Sequence, residues 1–200
     1  MRRHTRPLAA LFLSLALVSS TGCATLEQIL ALSQVDFSLA GADQGTLAGI
    51  DLTRLRSARD LTPGQLLSLV AAVQSDRLPF AFTLHVAADN PAENGVAARL
   101  VQLDWTMLLE GRETVSGRFD RDVLMPAGQR TDVPIRIELD LMRFYEDNAR
   151  DLADLAISLA GGSGGAPKQV ELRARPTVQT EIGPIAYPGE ISIVSARVGR

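Results

Sequence analysis

Hydrophobic and polar positions change period several times along this chain, and each change marks an element. Leu8 to Val18 is an almost unbroken apolar run. Ala24 to Gln34 has helical character and reads as a short tether. Val35, Phe37 and Leu39 then alternate with polar neighbours and begin a first strand, which Ile50, Leu52 and Leu55 continue in similar style. At Thr62-Pro63-Gly64-Gln65 the period changes. Thr62 suits an N-cap, Pro63 the first turn, and Gln65 completes a capping box. The helix it opens runs to about Ser75, with Leu66, Leu69, Val70 and Val73 on one face.

Period 2 then takes over. Leu78, Phe80, Phe82, Leu84 and Val86 alternate with Pro79, Ala81, Thr83, His85 and Ala87, as a half-buried strand requires. Asp89-Asn90-Pro91 and Glu93-Asn94-Gly95 are turn signals. Val101, Leu103, Trp105, Met107 and Leu109 form a second alternating set, which Glu110-Gly111-Arg112 ends as a tight hairpin. Val115, Phe119 and Val123 follow, then the turn Pro126–Gln129. Val133, Ile135, Ile137, Leu139 and Leu141 are the next set. Strands at short spacing joined by turns predict a mainly β fold, an antiparallel sandwich.

From Met142 to Ala160 the period returns to three and four, through Tyr145, Ala149, Leu152, Ala156 and Leu159. This predicts an amphipathic helix. Gly161 to Gly165 closes it as a flexible loop. Val170, Leu172 and Ala174 start a further strand, Pro176 makes that strand an edge or a break, and Ile191 and Ile193 close the sheet.

The opening segment sets the address. Arg2, Arg3 and Arg6 precede the apolar run, and Ser19-Ser20-Thr21-Gly22-Cys23 follows it, which is the layout of a secretory signal. These eleven residues, Leu8 to Val18, span about 16 Å as a helix, too short for a hydrocarbon core of about 30 Å. Small residues before the chain's single cysteine resemble the lipobox of bacterial lipoproteins, although Ser20 stands where that motif usually has Leu. The resemblance implies cleavage between Gly22 and Cys23 and lipidation of Cys23 by acyl chains such as palmitate. Ala24, where an Asp would retain the protein in the inner membrane, implies the outer membrane, facing the periplasm. The other reading is ordinary cleavage after Gly22 with Cys23 a free thiol. The domains are therefore 1–22 as signal peptide, 23–34 as lipidated cysteine and tether, and 35–200 as one sandwich.

Composition narrows the function classes. After Gly22 the chain keeps 17 basic and 23 acidic residues, a net charge of −6, with Lys168 its sole lysine and no basic cluster. Nucleic acid is therefore excluded as a partner, because phosphate neutralisation supplies much of that affinity. Hydrophobic residues at 46% supply a core. A single cysteine permits no internal disulfide.

Candidate chemistry is sparse. His85 has no second His or Cys at ligand spacing and reads as a surface or edge histidine rather than a metal ligand. Asp120 with Asp122, and Glu138 with Asp140, place paired carboxylates at period 2, beside Arg118 and Arg136; a solvated charged face outweighs acid–base or calcium chemistry there. Gly161–Gly165 lacks a following Lys-Ser/Thr, so a phosphate loop is not expected, and no serine has a nucleophile-elbow context. No catalytic, cofactor or metal residues are assigned, and no cofactor is expected.

Three stretches together resemble a known family: Asp89-Asn90-Pro91, Leu109-Glu110-Gly111, and Val123-Leu124-Met125-Pro126-Ala127-Gly128 leading into Val133–Leu141. They are similar to the late-embryogenesis-abundant (LEA) type 2, desiccation-related proteins that share the WHy domain. That family usually ends the first of these strands in Asn-Pro-Asn, where this chain has Asn90-Pro91-Ala92. The similarity spans Val35 to Leu141 and, more loosely, the C-terminal strands. It implies a seven-stranded sandwich of immunoglobulin or fibronectin III type with a packed helix, no catalytic residues, and a part in desiccation or envelope stress. The alternative is a structural adaptor that recruits a partner through the Met142–Ala160 helix or a sheet edge.

Overall fold

The computed structural model describes residues 27, 29–144, 156–157 and 168–198. The signal segment, Cys23 and the Gly161–Gly165 loop lie outside the described residues. So does most of the Met142–Ala160 helix; where it was to begin, Leu141–Phe144 forms a 3-10 turn, and Ala156 and Ile157 are helical and fully buried.

Two antiparallel sheets face each other, as the alternation predicts. The first has the order β2-β1-β3-β7, with β1 Asp36–Leu47, β2 Ile50–Asp51, β3 Pro79–Asn90 and β7 Gln129–Asp140. The second has the order β10-β8-β4-β5, with β4 Ala98–Leu109, β5 Arg112–Phe119, β8 Lys168–Thr180 and β10 Ile191–Val198. The short β6 (Val123–Met125) pairs with β4, and β9 (Gly183–Ala186) with β8. The described residues thus contain ten strand segments where the resemblance implies seven, because β2, β6 and β9 are three short strands beside longer neighbours.

The core lies between the sheets. Phe80, Phe82, Leu84 and Val86 from β3 and Val133, Ile135 and Ile137 from β7 face Leu100, Leu103, Trp105 and Met107 from β4, with Leu172 and Ala174 from β8. The rings of Phe80 and Phe82 stack, centroids 5.1 Å apart. Period 2 explains the inward set. It does not explain Thr83 and Ala87, which lie on the outer face of β3 and are nonetheless buried, since a central strand is shielded by its neighbours' side chains.

Turn chemistry matches the strand ends. Ala48-Gly49 joins β1 to β2 and Glu110-Gly111 joins β4 to β5, with positive φ at both central residues of each. That is the type I′ requirement, matched to strand twist. Pro134 lies in β7, an edge strand of its sheet, where a missing N–H is tolerated. Pro176 falls where β8 changes partners: Ala174 is the last residue paired to β10, and Thr177 the first paired to β9. The predicted break is therefore a change of neighbour inside a continuous strand.

The capping box forms as expected. Thr62 Oγ1 accepts from Gln65 N–H at 3.3 Å, while Gln65 Oε1 accepts from Thr62 N–H at 2.9 Å. Helix α1 (Pro63–Gln74) follows. Its buried face is centred on Leu69 and flanked by Leu66, Ala72 and Val73. Val70 was expected on that face and is exposed instead, because it lies at the solvent edge of the stripe. The predicted continuation of the first strand to Leu55 is also corrected. Pairing stops at Asp51, and the chain passes through a 3-10 turn at Ala58–Asp60 capped by Ser57.

Candidate functional site

The most concentrated chemistry lies on the outer face of the first sheet. His85 sits mid-strand on β3, with Gly41 of β1 on one side and Pro134 of β7 on the other. Its Nδ1 lies 2.8 Å from Asp132 Oδ2 on β7, and its Nε2 lies 3.1 Å from Asp43 Oδ1 on β1. Asp43 stands between two register shifts in β1, which turn its side chain toward the ring. A neutral imidazole can donate from one nitrogen only, so two carboxylates, one at each nitrogen, select the imidazolium. The Asp132 contact is the main cause that raises the His85 pKa above its ordinary 6.5; partial desolvation opposes it and Asp43 adds to the rise.

This arrangement is a three-strand clip. The carboxylates lie at opposite ring nitrogens, so neither nitrogen is left for a metal, and no group of three ligating side chains among the described residues could hold one. Small residues surround it: Ala40, Gly41, Ala42 and Ala87 line a shallow recess with Arg130 and Thr131. The reading of His85 as a surface histidine agrees with its half-buried position. Its partners were not legible, because they lie 42 and 47 residues away in sequence.

Of the two carboxylate pairs, Glu138 and Asp140 share a face of β7, whereas Asp120 and Asp122 do not lie on a strand. β5 ends at Phe119, so Asp120 and Asp122 lie in the connection to β6 rather than on one strand face. Asp122 pairs with Arg99 of β4, and the guanidinium beside it holds its carboxyl below the usual range. Arg118 turns to Asp104 across the β4–β5 ladder at 2.6 Å. Glu138 stays with Arg136 on β7, 3.5 Å away. Asp140 ends β7 by accepting the N–H of Leu78 at 2.8 Å and of Met142 at 3.2 Å. Asp122 and Glu138 are therefore ion-pair partners, and Asp140 is a backbone cap.

A second cluster joins the residues that carry the family resemblance. Asn90, buried at the end of β3, donates its side-chain amide to the carbonyls of Met125 (2.8 Å) and Val96 (3.1 Å). Its own carbonyl accepts from Gly128 N–H at 2.8 Å. Asn94 donates to Asn90 Oδ1 at 2.7 Å and to Ala31 O at 2.9 Å, which ties the segment preceding β1 to the same end. The Asn90-Pro91 and Val123–Gly128 motifs thus form one lock between the sheets. Among the described residues no helix is long and apolar enough to cross a membrane.

These features define an antiparallel, two-sheet β-sandwich protein with few helices and a paired-charge surface. No family model matches the chain, and no curated protein matches it. Solved structures do resemble it, at low identity. One, provisionally assigned to the late embryogenesis abundant (LEA) proteins, is 14% identical over 98% of this chain and 97% of its own, with a TM-score of 0.36. A protein from Arabidopsis thaliana is 16% identical over 58% of this chain and 72% of its own, with a TM-score of 0.30. A protein from Archaeoglobus fulgidus is 11% identical over 57% of this chain and 85% of its own, with a TM-score of 0.32.

Proposed function

We propose that this chain is a noncatalytic β-sandwich lipoprotein of the bacterial cell envelope. It is held through lipidated Cys23 on the periplasmic side of the outer membrane and protects envelope components during desiccation or related stress. The observation that carries the noncatalytic part is the saturation of His85, the one histidine that remains after signal cleavage, by two carboxylates. A general base needs a free ring nitrogen within reach of a substrate proton. The anchor rests on the Arg2–Cys23 segment, and the stress role on the resemblance carried by Asn90-Pro91 and Val123–Gly128.

Two experiments test this. Radiolabelled palmitate should enter the wild-type chain and not Cys23→Ala; equal labelling of the two removes the lipid anchor. The unlipidated chain from Ala24 should preserve a labile enzyme through drying better than equal masses of albumin or of its own unfolded form. Protection no better than albumin removes direct shielding as the activity.

A second reading, an adaptor that recruits a protein partner, draws on α1. Its twelve residues carry no charge, and Leu67 on its outer side is 72% exposed. A stoichiometric partner crosslinked through Leu67 would favour the adaptor over the shield.

A further inference from the structure

Gly41 sits in the middle of β1, where neither its backbone nor its neighbours require a glycine. Its φ lies outside the left-handed region, and a β-carbon added there would meet nothing within 4 Å. The register shift beside it, between Leu39 and Gly41, therefore uses no left-handed residue. A glycine inside a strand costs stability, because it gives up more freedom on folding and packs no side chain. It often marks a place where a ligand approaches the backbone closely. Gly41 pairs with His85, so the open space lies directly beside the clip. With Ala40, Ala42 and Ala87 it forms the apolar lining of a recess of about 560 Å³, within the usual range of small-molecule sites.

The rim is polar and held in place. Four charged side chains line it: Asp43, His85, Arg130 and Asp132. With His85 as the imidazolium that its two carboxylates select, their charges cancel. Asp43 Oδ1 and Asp132 Oδ2 face the ring at 3.1 and 2.8 Å, and the second oxygen of each carboxylate has no partner among the described residues. Arg130 lies 3.6 Å from Asp89 and 3.4 Å from Ser38 Oγ, and its five N–H donors leave some for a ligand. Beyond the rim, Asp36 stands opposite Asp89, and Arg136 pairs with Glu138 at 3.5 Å.

We propose that this recess binds a neutral, hydroxyl-rich ring: one pyranose unit of a sugar. A cation would meet the imidazolium already seated between the carboxylates, and an anion would meet the carboxylates themselves. A sugar carries no charge to be repelled. Its hydroxyls donate to the two open carboxylate oxygens and accept from the guanidinium, while its C–H face lies on Gly41 and Ala87. Hydrogen bonds to ionised partners are the stronger kind. The clip fixes both acceptors before binding, so little side-chain freedom is lost. No Phe, Tyr or Trp is among the lining residues, so the affinity is weak, in the millimolar range. The ring belongs either to a free disaccharide or to a longer glycan, which share this chemistry. Neither the lipid anchor nor direct shielding is needed for it.

The test uses the full chain in dodecylphosphocholine, a detergent without sugar, with isotope-labelled histidine rings. The His85 ring signal is identified by its loss in His85→Gln. Maltose should shift that signal saturably at millimolar concentration, whereas tetramethylammonium chloride and sodium sulfate should not. Gly41→Val fills the open space with a residue suited to strands. It should keep or raise the urea midpoint and weaken maltose binding by at least about tenfold. Arg130→Gln, on the exposed side of β7, should weaken binding several-fold with unchanged circular dichroism. Maltoheptaose binding about tenfold tighter than maltose supports the site and assigns the ring to a glycan chain; equal affinities support it and assign a free sugar. No saturable shift with either sugar overturns the proposal. Maltose binding of equal strength in the wild type and Gly41→Val, or in the wild type and Arg130→Gln, overturns it too. A midpoint that falls in Gly41→Val makes the glycine structural and also overturns it.

Discussion

The side-chain amide of Asn90 donates to the main-chain carbonyl of Met125 across 2.8 Å, inside the buried end of the sandwich. This bond ties β3 of one sheet to β6 of the other, and the same amide reaches Val96 O while Asn94 reaches Asn90 Oδ1. A short apolar replacement would leave these groups without partners. Buried polar groups left unpaired cost more than the hydrogen bond itself contributes. Asn90→Ala should therefore lose about 2–4 kcal/mol in urea unfolding. Asn90→Asp should lose stability too, because its carboxylate would face two carbonyls. A loss below about 0.5 kcal/mol for Asn90→Ala would show that the lock is dispensable.

Gly117 is required by its neighbour rather than by its backbone. It pairs with Trp105 across the β4–β5 ladder, and a β-carbon there would come within 2.8 Å of Trp105 Cε2 and closer still to Cζ2. Gly117→Ala should cost about 1–3 kcal/mol through overpacking and shift the emission of this sole tryptophan. Combining it with Trp105→Leu should cost less than the sum of the two single changes. Additivity within error would mean that the two side chains do not compete for the same space.

His85 gives a pH dependence with a defined sign. Its folded pKa is raised, chiefly by Asp132, above the ordinary 6.5. The clip's contribution is thus complete below about pH 6.5 and is lost as pH rises through the raised value. Wild-type stability should fall relative to His85→Gln in that window, by an amount typical of exposed ion pairs, at most about 1 kcal/mol. Asp132→Asn should lower the His85 titration midpoint more than Asp43→Asn, as followed by NMR of the ring. A midpoint at or below 6.5 in the wild type would refute the imidazolium assignment.

The capping box at Thr62 has a modest and local effect. Thr62→Ala removes the acceptor for Gln65 N–H and should cost about 0.5–2 kcal/mol. Thr62→Ser should retain most of the stability. Amide exchange in the first turn of α1 should quicken in the Ala variant, with β3 unchanged.

What the sequence determined by itself is what repeats or caps locally. Period 2 in β3 and β7 identifies the inward residues Phe80 to Val86 and Val133 to Leu139, because a strand side chain's direction depends only on its place in the pleat. Thr62-Pro63-Gly64-Gln65 specifies a helix start for the same reason, since all its hydrogen bonds close within four residues. Neither Ala48-Gly49 nor Glu110-Gly111 is one of the Asn-Gly, Asp-Gly or Gly-Gly pairs that mark such turns most strongly, and Glu110-Gly111 is legible because alternating runs flank it.

Only the tertiary structure decided the pairings between distant residues. Asp43 and Asp132 meet His85 because β1 and β7 flank β3, and strand order leaves no mark on the period of any single strand. Asp120 and Asp122 look like a carboxylate pair by spacing, yet β5 stops at Phe119 and Arg99 takes Asp122. Asn90, Val96, Met125 and Ala31 converge because three loops and the entering chain share one end of the sandwich. Alternation fixes which face a residue takes, whereas the packing of whole sheets fixes which residues share an end.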